Sequence, residues 1–195
     1  MEMQGTRLLS TTQEQAWQAL NDPEILKACI PGCDKFEASE PNVYSVQVAL
    51  KIGPVAAKFN GKVSLIDIVA PSSYSLKFEA NGGIAGFGKG ESHVNLKSSE
   101  NGVELNYSVN SQVGGKIAQL GQRLIDGVAK SLAEEFFTKF EDQLKARFPT
   151  NEVAPKITKE PNDQSKSENS SRFKWVLALL AIAAVAALGL FANPS

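Results

Sequence analysis

The sequence predicts an α+β domain in which a curved antiparallel sheet closes around one long C-terminal helix. Three observations predict it. Stretches of alternating apolar and polar residues are separated by turn dipeptides, two short capped helices sit near the N-terminus, and an apolar-striped segment runs from Lys116 to about Arg147.

The elements follow in order. Met1 to Leu9 reads as a strand. Thr11 and Glu14 supply a Thr-x-x-Glu capping box, with Ala16, Trp17 and Leu20 on the apolar face of a short helix. Asp22-Pro23 opens a second helical piece through Ile25 and Leu26, and Ile30-Pro31-Gly32 stops it. In 44–52 the apolar set is Tyr44, Val46, Val48, Leu50 and Ile52. After the Gly53-Pro54 turn, Ala57, Phe59, Gly61, Val63 and Leu65 alternate with Lys58, Asn60, Lys62 and Ser64. Past Pro71-Ser72-Ser73, Tyr74, Leu76, Phe78 and Ala80 oppose Ser75, Lys77 and Glu79. Segments 88–97 and 103–113 repeat the pattern around Asn101-Gly102. Successive hairpins of this kind leave one sheet face in water and one for the core. The final helix carries Ile117, Leu124, Val128, Leu132, Phe136, Phe140 and Leu144, a stripe that must lie on that core face.

Beyond this domain, 1–148, the composition changes. Residues 149–171 hold three prolines among Ser, Asn, Lys and Glu, with only Val153 and Ile157 as branched aliphatics. Such a segment buries too little apolar surface to offset its ordering entropy, and is expected to be a disordered linker. Residues 172–195 are expected to be a single transmembrane anchor, because Trp175 to Ala192 contains no charged side chain. A helix of that length reaches about 27 Å, against a hydrocarbon core of about 30 Å. Arg172 and Lys174 precede it, which places the N-terminal domain on the cytoplasmic side of a cell inner membrane. The N-terminus shows no basic start followed by an apolar run, so no signal peptide is expected.

Charge excludes one class of partner. The 20 Lys+Arg and 21 Asp+Glu nearly balance, so the basic excess that nucleic acid demands is absent. Cys29 and Cys33, in Cys-Ile-Pro-Gly-Cys, have neither redox nor zinc spacing. The one histidine, His93, falls on the polar side of its strand, so no Ser-His-Asp or Cys-His set can be assembled. No metal-ligand cluster appears, and an enzyme is not expected.

The inward set of the sheet combines large and small residues. Leu50, Phe59, Phe78, Tyr107 and Val109 are joined by Ala57, Gly61, Ala80, Gly90, Ser92 and Ser111. Small residues on a concave face leave room for an apolar ligand beneath Leu124, Val128 and Leu132, unless helix side chains fill it. The glycine-rich loop 81–88 is expected to expose Ile84 and Phe87, either as a portal into the lipid interface or as a plain glycine-rich hairpin. Gly121 and Gly127 weaken the covering helix and serve either as a gate or for close packing.

The motifs also resemble a known family. Asp22-Pro23-Glu24-Ile25-Leu26 with Cys29-Ile30-Pro31-Gly32-Cys33, and Leu120-Gly121-Gln122-Arg123-Leu124-Ile125-Asp126-Gly127-Val128-Ala129 continuing to Phe136-Phe137, are similar to the carbon monoxide dehydrogenase G-subunit family. That family lies in the START-like (SRPBCC) helix-grip superfamily. The resemblance covers about 1–147. It implies a non-enzymatic accessory to a molybdenum-containing carbon monoxide dehydrogenase, with no intrinsic cofactor. It also implies a cavity for a hydrophobic ligand taken from the lipid bilayer, a quinone such as menaquinone or ubiquinone. A passive recruitment adaptor with a closed core is the alternative, and a lipid-modifying enzyme or cyclase of the same superfold a more remote one.

Overall fold

In the computed structural model, which describes residues 1–149, the alternating stretches pair into one seven-stranded antiparallel sheet. Its strands are β1 (Glu2–Leu9), β2 (Cys33–Glu40), β3 (Val43–Ile52), β4 (Val55–Val69), β5 (Ser73–Asn81), β6 (Phe87–Ser99) and β7 (Gly102–Gly114). The spatial order β1-β7-β6-β5-β4-β3-β2 is a meander with the first strand added beside the last. Three helices complete the domain: α1 (Gln13–Leu20), α2 (Pro23–Cys29) and α3 (Gln122–Arg147).

Alternation fixes the register. Tyr107 pairs Val94, Phe78 pairs Gly90 and Phe59 pairs Val48, so their inward side chains share one face. Leu50, Phe59, Val63, Leu76, Phe78, Val94, Leu105, Tyr107 and Val109 are all buried there. Across from them α3 buries Ile125, Ala129, Ala133, Phe136, Phe137, Phe140 and Leu144. Phe137 stacks on Tyr107 with ring centroids 6.1 Å apart, and Phe136 stacks on Phe140 at 5.5 Å. The Arg7 guanidinium lies 5.6 Å from the Phe137 ring centre, and its Nε is 3.1 Å from Glu141, a charge contact rather than an aligned hydrogen bond. These contacts hold the C-terminal half of α3 firmly to the sheet.

Several expected details are corrected. The first helix is capped one residue later: the Thr12 hydroxyl accepts from the Gln15 N–H, and the Gln15 side chain accepts from the Thr12 N–H. Thr11 is left outside the box because its own N–H donates to Leu9. The Cys33–Glu40 strand was not expected, since only Phe36 of its eight residues is buried. The long helix starts at Gln122 rather than Lys116. Residues 118–120 form a 3-10 turn, and Gly121 at φ 88 breaks the α conformation.

The meander gives the domain two distinct ends. The β3–β4 and β5–β6 turns and the β7-to-α3 connection lie at one end, and the other sheet turns lie at the opposite end with the start of α1. Among the described residues no helix is long and apolar enough to cross a membrane. The expected linker (149–171) and anchor (172–195) lie, apart from residue 149, outside the described residues.

Candidate functional site

The chemistry available between sheet and α3 is almost wholly apolar. Ser92 and Ser111 are its buried polar residues, and the Ser92 hydroxyl donates to the Ser108 carbonyl at 2.9 Å. The sheet members expected to form the site, Leu50, Phe59, Phe78, Tyr107 and Val109, do converge on this face.

The small inward residues, however, do not leave the space that their size suggested. A Cβ on Gly90 would come within 2.4 Å of the Asn110 carbonyl oxygen and 2.6 Å of Phe78 Cζ, so backbone and ring already fill its place. A Cβ on Gly82 would fall on the Phe59 ring, and one on Gly61 would meet Ala80 Cβ at 2.8 Å. Within the core, a void lined by Leu20, Tyr74, Leu76, Ser92, Val94 and Phe137 measures about 10 Å³, room for one water at most. A shallow trough of about 700 Å³ lies elsewhere, on the outer face among Lys62, Lys77, Glu79, Lys89 and Glu91, and its charged walls do not suit a lipid.

The helix contribution is displaced by one residue from expectation. Of the expected stripe, Ile117, Phe136, Phe140 and Leu144 are buried, whereas at Leu124, Val128 and Leu132 the fully covered line runs one residue on, through Ile125, Ala129 and Ala133. Val128 and Leu132 pack at its margin, half-buried, while Leu124 is 40% exposed. Counting alanine as apolar would have revealed the line Ile125, Ala129, Ala133 and Phe137 at intervals of four.

Leu124 belongs instead to a rim at one end. Its Cδ2 would lie 3.2 Å from a Cβ built on Gly53, and Leu120 Cδ1 would lie 4.0 Å from the same point, so both flank the β3–β4 turn. Facing this end is the 3-10 turn Gly83–Ala85, where Ile84 is 86% exposed. Phe87, paired with Ile84 as the expected portal, is the first residue of β6 and is half-buried. The nearby start of α3 is lightly held. It has no side-chain cap and no acidic residue in its first turn, and Gln122, Arg123 and Leu124 are all exposed. A Cβ on Gly121 or Gly127 would meet nothing within 4 Å, so close packing is not the reason for either glycine.

Among the described residues no nucleophile or acid–base pair enters this site. Burial pushes the Cys29 thiol up to about 12, opposed by the Lys139 charge. Burial also raises Cys33, opposed by a hydrogen bond from the Lys35 backbone and by the Lys27 charge. The buried Tyr74 phenol, edge-on to Trp17, is likewise raised by burial. His93 sits on the outer face beside the Ser75 hydroxyl at 3.1 Å. A thiol reagent at neutral pH should therefore modify Cys33 slowly and leave Cys29 untouched until the chain unfolds. Two fast-reacting thiols per native chain would refute this.

The family model for the carbon monoxide dehydrogenase G subunit (CoxG) matches residues 5–145. The chain belongs to this family. A CoxG domain thus spans nearly all of the described sheet and of α3. Among solved structures, a conserved protein from Geobacillus kaustophilus is 33% identical over 75% of this chain and 96% of its own, with a TM-score of 0.71. A Thermus thermophilus protein at 14% identity covers 76% of this chain and 99% of its own, with a TM-score of 0.59. The Zhui aromatase/cyclase of a Streptomyces species shares the fold alone, at 9% identity over 75% of this chain and 94% of its own, with a TM-score of 0.55. No curated protein matches the chain. The CoxG assignment agrees with the helix-grip fold expected from the sequence.

Proposed function

We propose that this CoxG protein is a non-catalytic, membrane-anchored carrier. It takes a hydrophobic ligand, a respiratory quinone such as menaquinone or ubiquinone, from the bilayer and presents it to a docked molybdenum-containing carbon monoxide dehydrogenase. Redox chemistry belongs to cargo and partner. The observation that carries this reading is the lightly held start of α3 above an apolar interior, beside the exposed Ile84 and Leu124. The filled core is then the closed conformation, and cargo enters when residues 121–128 lift while Phe136, Phe137 and Phe140 stay seated. Lining residues in the open state are Leu50, Phe59, Phe78, Tyr107 and Val109 below, with Leu124, Val128 and Leu132 turning over them.

The same filled core favours a second reading, a passive adaptor that holds the dehydrogenase at the membrane by raising its local concentration. Native mass spectrometry with lipid extraction, on full-length protein from its host's membranes, separates the two. One quinone per chain supports the carrier. An empty protein that also refuses added quinone leaves the adaptor.

Gly127→Ala sharpens the distinction. Nothing obstructs the new methyl, so the helix should gain up to about 1 kcal/mol of stability. In a carrier this gain opposes opening, and quinone-dependent turnover of the dehydrogenase should fall several-fold. In an adaptor only the melting temperature should rise.

A further inference from the structure

We infer that the end of the domain formed by the β3–β4 turn, the 3-10 turn Gly83–Ala85 and the start of α3 docks directly onto an anionic lipid surface. The first ground is its apolar tip. Ile84 and Leu124, 86% and 40% exposed, stand on separate elements at the same end, with Leu120 beside Leu124. Leucine and isoleucine presented this openly gain free energy by entering the acyl boundary of a membrane.

The second ground is charge, and it points to lipid rather than protein. Segments 50–57, 81–88 and 114–127, which build this end, contain Lys51, Lys116 and Arg123 against Asp126 alone, a net charge of +2. Asp126 already accepts from the Gln122 side chain at 2.7 Å. Lys51, Lys116 and Arg123 are exposed and make no ion pair among the described residues. Lys51 lies two residues before Gly53, and Arg123 directly precedes Leu124. Lys116 directly precedes Ile117, whose N–H donates to the Ala85 carbonyl at 3.1 Å. The cations thus stand on the same segments as the apolar tip or on ones bonded to it. The sheet turns at the opposite end, 9–15, 40–43, 66–73 and 97–103, hold Glu14, Glu40, Asp67 and Glu100 against Lys97, a net charge of −3. This polarity turns the domain tip-first toward a negative surface and repels the other end.

The inference rests on the carrier reading for its purpose, since only a cargo mouth needs presenting to lipid. The test uses no cargo, so either can fail alone. The full-length chain would carry a polarity-sensitive fluorophore at Ile84→Cys in a Cys33→Ser background, Cys29 being wholly buried. It would be measured in neutral phosphatidylcholine vesicles and in vesicles with added phosphatidylglycerol. Emission should shift to the blue in the anionic vesicles only, and high salt should reverse it. Each cation near such a surface contributes about fivefold in binding, so Lys51→Glu, Lys116→Glu and Arg123→Glu together should reduce the docking equilibrium constant on the order of 100-fold or more. A control fluorophore at Glu100→Cys should stay in water throughout. Equal emission in both vesicle types, an unchanged signal in the triple variant, or shielding of position 100 instead would overturn the inference. So would shielding of position 84 by added dehydrogenase in the absence of lipid, which would make the tip a protein interface.

Discussion

Replacing Phe136 with Ala should lower the unfolding free energy by about 3–5 kcal/mol. Phe136 has no exposed surface, stacks on Phe140 at 5.5 Å and meets the Phe137 ring edge-on at 5.2 Å. Its removal deletes contacts on two sides, and the Phe137 ring cannot collapse into the hole without leaving Tyr107. Domains of this size hold only about 5–15 kcal/mol in total, so the variant should sit near the edge of folding. Urea titration followed by circular dichroism measures it, with a lower midpoint and an unchanged slope. Leu124→Ala is the companion variant. Leu124 is 40% exposed, so its loss should cost about 0.5 kcal/mol or less. Equal costs for the two would mean that the helix is rotated from the register described.

That comparison also tests what the sequence misled about. The sheet was legible because one face meets water: Tyr107, Phe78 and Phe59 alternate with Ser108, Lys77 and Lys58, and a shift of one residue would have buried lysines. β2 was not legible, because an edge strand burying only Phe36 has no period to detect. On α3 the eye follows leucine and valine, and 124, 128 and 132 form a plausible line. The true line passes through Ala129 and Ala133, which are buried because they let the helix approach rather than because they are hydrophobic. The inward glycines misled for a related reason. Sequence gives the size of Gly90 and Gly61 but not what stands across from each, where Phe78 Cζ and Ala80 Cβ would meet the added carbon at 2.6 and 2.8 Å. A tally of small residues therefore overstates a cavity unless cross-strand partners are known. The proposed mouth was half legible: Ile84 stood out among glycines, whereas Leu124 joined it only when Gly121 moved the helix start.

The backbone where the 3-10 turn Gly83–Ala85 meets the β7-to-α3 connection should be intolerant of even one methyl group. Gly86 has φ 133, a conformation that L side chains rarely adopt, and a Cβ there would overlap the Gly114 carbonyl oxygen and approach Ile117 Cγ1 to 3.2 Å. Across the same contact, a Cβ on Gly115 would lie 2.5 Å from Gly86 Cα. Two glycine backbones thus touch where the 3-10 turn meets the β7-to-α3 connection, and the Ile117 N–H to Ala85 carbonyl bond of 3.1 Å seals the joint. Gly86→Ala combines backbone strain of about 1–3 kcal/mol with a displacement costing about as much again. The methyl should also separate the turn from the start of α3. Hydrogen exchange of the Ile117 amide should then speed up by more than the global loss of stability explains, and a carrier should lose its quinone faster. Gly83→Ala provides the contrast within the same turn. Gly83 also has positive φ, at 62, but a Cβ there would meet nothing within 4 Å, so only the backbone term of about 1–2 kcal/mol applies. A Gly83→Ala loss as large as that of Gly86→Ala would show that strain alone governs this turn. A clear excess at Gly86 would locate the joint between the two glycine backbones.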